Sequence, residues 1–298
     1  MSLPVIIDTD PGIDDAVALL LAAASQELDI LGITAVAGNV TLDHAVNNAH
    51  RILKVAGSEV PVYQGCSRPV IKHLVTAEDV HGPEGLGLTW PEVSYPISGT
   101  HGVDFIIEQA SSHHNEPLTL CMLGPLTNLA LALIKEPEIK KGIGQVVLMG
   151  GALNVAGNIT PHAEFNFHVD PHAAFVVFES GLPIIMSPLD VTEKASITRP
   201  WLEEIKRQKS LACKIVHDML EFYHAGVGGG LHDPCVIAWL LAPELFKTRL
   251  CNVQIEIRDK GQEGKSIADW NDSGEVKAMM DIDREGFFDL LLNRLKRF

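Results

Sequence analysis

The stretch IIDTDPGIDDAVALLLAAA, residues 6–24, decides the fold and raises the first chemical question. A β-branched apolar run hands over through Asp10-Pro11-Gly12 to a second apolar run of helix length, the pattern of a strand passing into a helix. Four aspartates, Asp8, Asp10, Asp14 and Asp15, fall within eight residues of that junction. Asp14 or Asp15 alone would be an ordinary helix start, capping free backbone N–H groups and facing the positive end of the helix dipole. Four carboxylates repel one another by more than capping offsets. A hard divalent cation would neutralise them, and Ca²⁺ takes about six to eight oxygen ligands, carboxylates and backbone carbonyls included.

Outward from the junction the same alternation recurs. LPVIID (3–8), LDILGITAVAG (28–38), PLTLCMLG (117–124), IGQVVLMGG (143–151) and LPIIMSPLD (182–190) read as strands, and residues 14–25, 41–56, 125–135 and 171–181 as helices. Strands apolar along nearly their whole length, alternating with helices, imply a parallel sheet covered on both faces. The expected fold is α/β: an open doubly wound, mostly parallel sheet with helices on both faces and a helical elaboration around 199–246. Strand candidates NVQIEI (252–257) and VKAMMDID (276–283) follow it. No linker or internal repeat interrupts the pattern, so one domain over 1–298 is expected. Residues 64–100 and 150–168 read as long loops of the kind that carry function. Ligands of open α/β sheets bind beyond the carboxyl ends of the strands. DTDPGIDD (8–15), AGN (37–39), LGPLTN (123–128) and MGG (149–151) should therefore converge on one edge.

Composition narrows the partners. A net charge of −15 offers no basic footprint for nucleic acid. No apolar run approaches the ~20 residues that span a bilayer. MSLPVIIDTD lacks the basic start of a signal peptide, and the five cysteines are scattered without a CxxC pair. A reduced, cytoplasmic protein is expected.

Other motif readings fail or stay open. An EF-hand loop would need a ligand where Gly12 stands. The GxGxxG of dinucleotide binding is absent, and Gly228-Gly229-Gly230 lacks the ending of a phosphate loop. Asp8-x-Asp10 after a first strand resembles the opening of aspartyl-nucleophile phosphatases, although Pro11–Asp15 fits that scheme poorly. In GLHDPCVIAWLLAPELF (230–246), Asp233 before Pro234 reads as a helix cap. His232 beside it adds the option of acid chemistry near neutral pH. Asp170-Pro171 reads as a cap alone. In GNITPHAEFNFHVDP (157–171), Asn158, Glu164 and Asn166 either suit the hydroxyls of a sugar or cap their own loop.

Taken in order, DTDPGIDDA, AGN, VHG, GPLTN, VVLMGG, GN(x)5EFN and LHDP resemble nucleoside hydrolases of the inosine–uridine-preferring type. The likeness covers essentially the whole chain and is strongest to bacterial non-specific or pyrimidine-accepting ribonucleoside hydrolases. It implies a bound Ca²⁺ held by Asp10, Asp15, Asp233 and the backbone carbonyl of Leu123. It further implies that Asp10 is the general base for the attacking water, while Asp14 and Asn166 bind ribose hydroxyls with Asn39 nearby. Asn158 and Glu164 would hold the 5′-hydroxyl, Met149 would pack on the ribose, and Asp8 would support the site by hydrogen bonding. His232, and second to it His81, would assist the leaving base. Tyr223 and His224 are candidates to contact that base, within stretches 73–90 and 220–232. The implied reaction is hydrolysis of the N-glycosidic bond to ribose and free base, with inversion, through an oxocarbenium-like transition state. The implied assembly is a homo-oligomer, a dimer or tetramer. A binding module on the same fold that had lost catalysis would be expected to lack Asp10 or a metal ligand, and all are present.

Overall fold

Side chains that alternate between two apolar cores define a strand buried on both faces. Strand β1 (Leu3–Thr9) does this, with Val5 and Ile7 in one core and Ile6 in the other. The structure, a computed structural model, describes residues 2–87, 90, 99–227 and 229–298, and no side chain within 224–227. After β1 come α1 (Ile13–Ala23), β2 (Leu28–Ala35), α2 (Leu42–Ala56), β3 (Val62–Gln64), α3 (Glu78–His81) and α4 (Gly102–Ser112). The middle of the chain forms β4 (Leu118–Met122), α5 (Thr127–Lys135), β5 (Ile143–Met149), α6 (Phe165–Val169), α7 (Pro171–Phe178), β6 (Ile184–Ser187) and α8 (Leu189–Thr192). The last third carries α9 (Arg199–Lys206), α10 (Leu211–Val227), α11 (Pro234–Leu241), β7 (Phe246–Ile255), β8 (Ser266–Trp270), β9 (Val276–Ile282) and α12 (Arg284–Leu295).

Nine strands form one sheet in the order β3-β2-β1-β4-β5-β6-β9-β7-β8. Neighbours from β3 to β9 run parallel, and β7 is antiparallel to both β9 and β8. The direction of winding reverses between β1 and β4, which opens a crevice at their carboxyl ends. Helices α1, α2 and α9–α12 cover one face, and α4, α5 and α7 the other. The expected doubly wound architecture is the one found.

Several boundaries differ from expectation for local reasons. The strand expected over 28–38 ends at Ala35, after which Ala37 pairs with Cys66 and Asn39 turns toward Asp10. The strand expected over 182–190 stops at Ser187, where Pro188 starts the single turn of α8. The helical elaboration is real, but strand β7 begins at Phe246 rather than Asn252. No helix of the described residues is long and apolar enough to cross a membrane.

Asn128, early in α5, ties the strand ends together. Its Nδ2 donates to Asp8 Oδ2 (2.7 Å) and to the Ala35 carbonyl (3.1 Å), and its Oδ1 accepts from the Cys66 amide (2.8 Å). Thr34 donates a second hydrogen bond to Asp8 Oδ2. Asp8 is wholly enclosed, and burial pushes its carboxyl up to about 7 despite these donors. Asn128→Ala would leave a buried amide and a buried carboxyl short of partners. We expect it to lower stability by about 2–4 kcal/mol, measured by urea denaturation.

Candidate active site

The four polar loops expected to meet do so beyond β1, β2, β4 and β5, around a cavity of about 200 Å³. Asp10, directly after β1, is almost fully buried there; its Oδ2 accepts from the Asn39 amide (2.6 Å). Its Oδ1 is buried without a hydrogen-bond partner among the described residues. The backbone comes this close only because Gly38 and Gly124 carry no side chain. A β-carbon on Gly38 would overlap Asp10 Oδ2, and one on Gly124 would lie 2.5 Å from Oδ1.

Asp15 sits in the first turn of α1. Its Oδ2 reaches back to accept from the Gly12 amide (2.9 Å) and also from Asn39 Nδ2 (3.1 Å), while Oδ1 accepts from Thr9 Oγ1 (2.5 Å). Asp15 therefore does cap its helix, and it does more. Asp14, Asp15 and Asp233 bring carboxylate oxygens within 4.8 Å of one another, all three buried. The two Asp-Pro sequences part company here. Asp170 caps α7 through the Ala173 amide (3.0 Å), as expected, whereas Asp233 makes no side-chain capping bond at α11 and faces the other carboxylates. Asp10 lies outside this trio but close enough for its charge to act on Asp233.

The electrostatics follow from that crowding. Burial first, then the charges of Asp14, Asp15 and Asp10, push Asp233 well above the usual carboxylate range. Burial and the neighbouring Asp15 do the same to Asp10, and burial with Asp14 raises Asp15. Such a set ionises together only with a positive charge in its midst. The donors are all hard oxygens, and Asp10 Oδ1 has no hydrogen-bond partner among the described residues, so the residues fit a hard divalent cation.

The opposite wall is built by the loop after β5. Asn166 Nδ2 donates to the carbonyls of Leu123 (2.7 Å) and Met149 (3.1 Å), bridging the ends of β4 and β5. Glu164 caps α6, accepting from the amides of Asn166 (2.9 Å) and Phe167 (3.2 Å), and it also accepts from Gly151 (3.0 Å). Burial pushes its carboxyl up to about 7. Asn158 accepts from the Phe165 amide (2.9 Å). The loop is thus self-capped, while Asn158, Glu164 and Asn166 still line the cavity. Asp190 holds the start of this loop through the amides of Leu153 and Asn154, both at 2.8 Å.

Both histidines reach the cavity. His81 Nδ1 accepts from the Ile13 amide (3.1 Å), the first in α1, and its ring stacks with Tyr223 at 5.7 Å between centroids. His232 Nδ1 lies 2.7 Å from Thr192 Oγ1, and burial holds this histidine below its ordinary value. Asp14, Asn39, Leu123, Met149, Tyr223 and Asp233 complete the expected lining, with Asp10 and Asp15 buried behind it. Sequence reasoning did not name Thr76, Ala77, Asp79, Val80, Ile159 and Phe165 in that lining; the first four fall in the stretch 73–90 expected to meet the base, and the last two were signalled only by their place in the loop 150–168. The side chain of His224, and residues 88, 89 and 228 of the stretches expected to meet the base, lie outside the described residues.

A family profile described as inosine-uridine preferring nucleoside hydrolase matches residues 5–289. The chain belongs to that family. It is thus a ribonucleoside hydrolase, an enzyme that splits the N-glycosidic bond between ribose and base with water. It is 43% identical to the pyrimidine-specific ribonucleoside hydrolase RihA of Salmonella schwarzengrund, over 99% of each chain. The purine-preferring ribonucleoside hydrolase from Gardnerella vaginalis superposes with a TM-score of 0.92 at 34% identity, over 99% of this chain and 98% of that one. A plant nucleoside hydrolase, the PpNRh1 enzyme, gives 0.92 at 33% identity over 99% of both.

For this nucleoside hydrolase the glycine cradle around Asp10 makes a direct test. Gly124→Ala forces the Asp10 carboxylate to move, so kcat/KM for nucleoside hydrolysis should fall about 100-fold or more while the folding transition changes little. Unchanged turnover in a folded Gly124→Ala protein would show that the position of Asp10 is not critical.

Proposed function

We propose that the chain is a Ca²⁺-dependent hydrolase of free ribonucleosides, pyrimidine ribonucleosides foremost. The observation that carries the reading is the convergence of Asp14, Asp15 and Asp233 near an Asp10 oxygen with no partner among the described residues. Asp10, Asp15, Asp233 and the Leu123 carbonyl would hold the ion, and the proximity of Asp14 supports its taking part at the same centre. A site of several carboxylates with room for sugar hydroxyls favours Ca²⁺ over Mg²⁺, which demands near-ideal octahedral geometry. When bound, the ion supplies Lewis-acid polarisation that brings a water within reach of a carboxylate base.

The chain's own groups account for the rest. Asp10, held at Oδ2 by the Asn39 amide, keeps Oδ1 open to accept the proton of the attacking water. Asp14 and Asn166 orient the ribose hydroxyls with Asn39 beside them, Met149 packs against the sugar, and Asn158 and Glu164 take the 5′-hydroxyl. Positive charge builds on the ribose ring as the bond to the base breaks, and the surrounding carboxylates stabilise it. Attack comes from the face opposite the base, so the product is inverted. His232 and His81 meet the departing base, with the Tyr223 ring stacked behind His81. The 43% identity to a pyrimidine-specific enzyme supports the choice of base. The five cysteines are all buried and unpaired, which supports a reducing cytoplasm. We read the working form as one domain per chain in a homo-oligomer of two or four copies.

Dialysis against EDTA should abolish release of reducing sugar from uridine; added Ca²⁺ should restore it, and Mg²⁺ should restore much less. Full activity in EDTA would remove the metal from the reading. Across uridine, cytidine, inosine, adenosine and guanosine, kcat/KM should be highest for one of the two pyrimidines. A purine at the head of that series would overturn the base assignment and leave the hydrolytic one intact.

A further inference from the structure

Thr192 ends the single turn of α8, and nothing in its sequence surroundings marks it for function. Its side chain is wholly buried, and its hydroxyl lies 2.7 Å from Nδ1 of His232. The segments carrying the two residues are clamped together. Leu231 donates its amide to the Ala195 carbonyl (3.0 Å), Ser196 and Gly230 form a β-bridge, and Gly230 lies so close to the Thr192 carbonyl that a β-carbon there would collide.

A buried hydroxyl needs an acceptor for its proton. Among the described residues the hydrogen-bond partner of this one is Nδ1 of His232. A neutral imidazole carries a single proton, on the nitrogen that is not accepting. With Nδ1 accepting from Thr192, that proton sits on Nε2, on a ring that lines the cavity. His81 reaches the same state by a different route, its Nδ1 taken by the Ile13 amide. Two rings from separate parts of the chain are each anchored at Nδ1 by a donor, and each is left with an N–H at the far side.

We propose that Thr192 is a positioning residue for hydrolysis: its hydroxyl fixes the tautomer and aim of His232, so that the ring offers the departing base a donor at Nε2. The inference rests on the reading above that His232 meets the leaving base. As the C1′–N bond breaks, its electron pair passes to the base. The Nε2–H stabilises the negative charge, and the base then takes its proton from water. No proton leaves Thr192.

The test compares Thr192→Val, which keeps shape and loses the hydroxyl, with Thr192→Ser, which keeps the hydroxyl. Two substrates are used: uridine, and p-nitrophenyl β-D-ribofuranoside, whose nitrophenolate departs without a hydrogen-bond donor. In Thr192→Val, kcat on uridine should fall about 10- to 100-fold at nearly constant KM, while the nitrophenyl riboside stays within about threefold. Thr192→Ser should recover most of the uridine rate. Equal losses on both substrates would make Thr192 merely structural, and an unchanged uridine rate in Thr192→Val would equally overturn the proposal. His232→Ala separates the two layers. If it hydrolyses uridine at the full rate, the role of His232 fails and this inference with it; if it is impaired and Thr192→Val is not, only the inference about Thr192 fails. Should Thr192→Val not fold, the ring ¹⁵N shifts of His232 in the unaltered protein decide the matter. A proton on Nε2 is expected, and one on Nδ1 would refute the assignment.

Discussion

The constraint on which this structure turns is the mutual repulsion of aspartates buried at one strand end. Removing an ionised carboxylate from water is costly, and placing several side by side multiplies the cost. Asp10, Asp15 and Asp233 all bear the mark of it in carboxyl groups raised above the usual range, Asp10 and Asp233 well above it. The surrounding dipoles reduce the strain without removing it: the Asn39 amide on Asp10, and Thr9, Gly12 and Asn39 on Asp15. A fold that maintains such a cluster is organised to receive positive charge. In the proposed mechanism a divalent cation would provide it in the resting enzyme, and the ribose ring would provide it as the glycosidic bond breaks.

The sheet makes that arrangement rigid. Reversal of strand order between β1 and β4 opens the crevice, and two independent cores hold the strand ends that line it. Asp8 and Asn128 lie one layer back and tie β1, β2 and the start of α5 into a single polar knot. Catalytic groups need to be held to within a fraction of an ångström, and supporting contacts of this kind do the holding.

Much of this was legible in the sequence, for identifiable reasons. Apolar strands alternating with helices announce a parallel sheet, and the rule that ligands gather at strand carboxyl ends brings Asp10, Asn39, Leu123 and Met149 together without further knowledge. What stayed hidden depends on partners distant in the chain. Asp170 and Asp233 stand in the same local pattern, Asp before Pro, yet one caps its helix and the other turns to the carboxylates. Only the tertiary position of α11 decides between them. Glu164 and Asn158 were expected at the substrate and are found spending their acceptors on their own loop as well. Thr192 carries no local signal at all, because its meaning lies in a ring forty positions away. β7 starts early for a comparable reason, since Phe246 to Leu250 pair with β9 rather than follow the helical trend before them.

The bond from the Ile13 amide to His81 ties together two parts of the chain that are distant in sequence. That amide belongs to the free end of α1, whose next residues are Asp14 and Asp15, while the histidine ends α3, in the long stretch after β3. Removing the imidazole while the amide stays buried would cost about 1–3 kcal/mol. The position of α3 is therefore coupled to the end of the helix that bears the acidic cluster. A substitution that loosens α3 should thus also disturb Asp14 and Asp15, one hydrogen bond away.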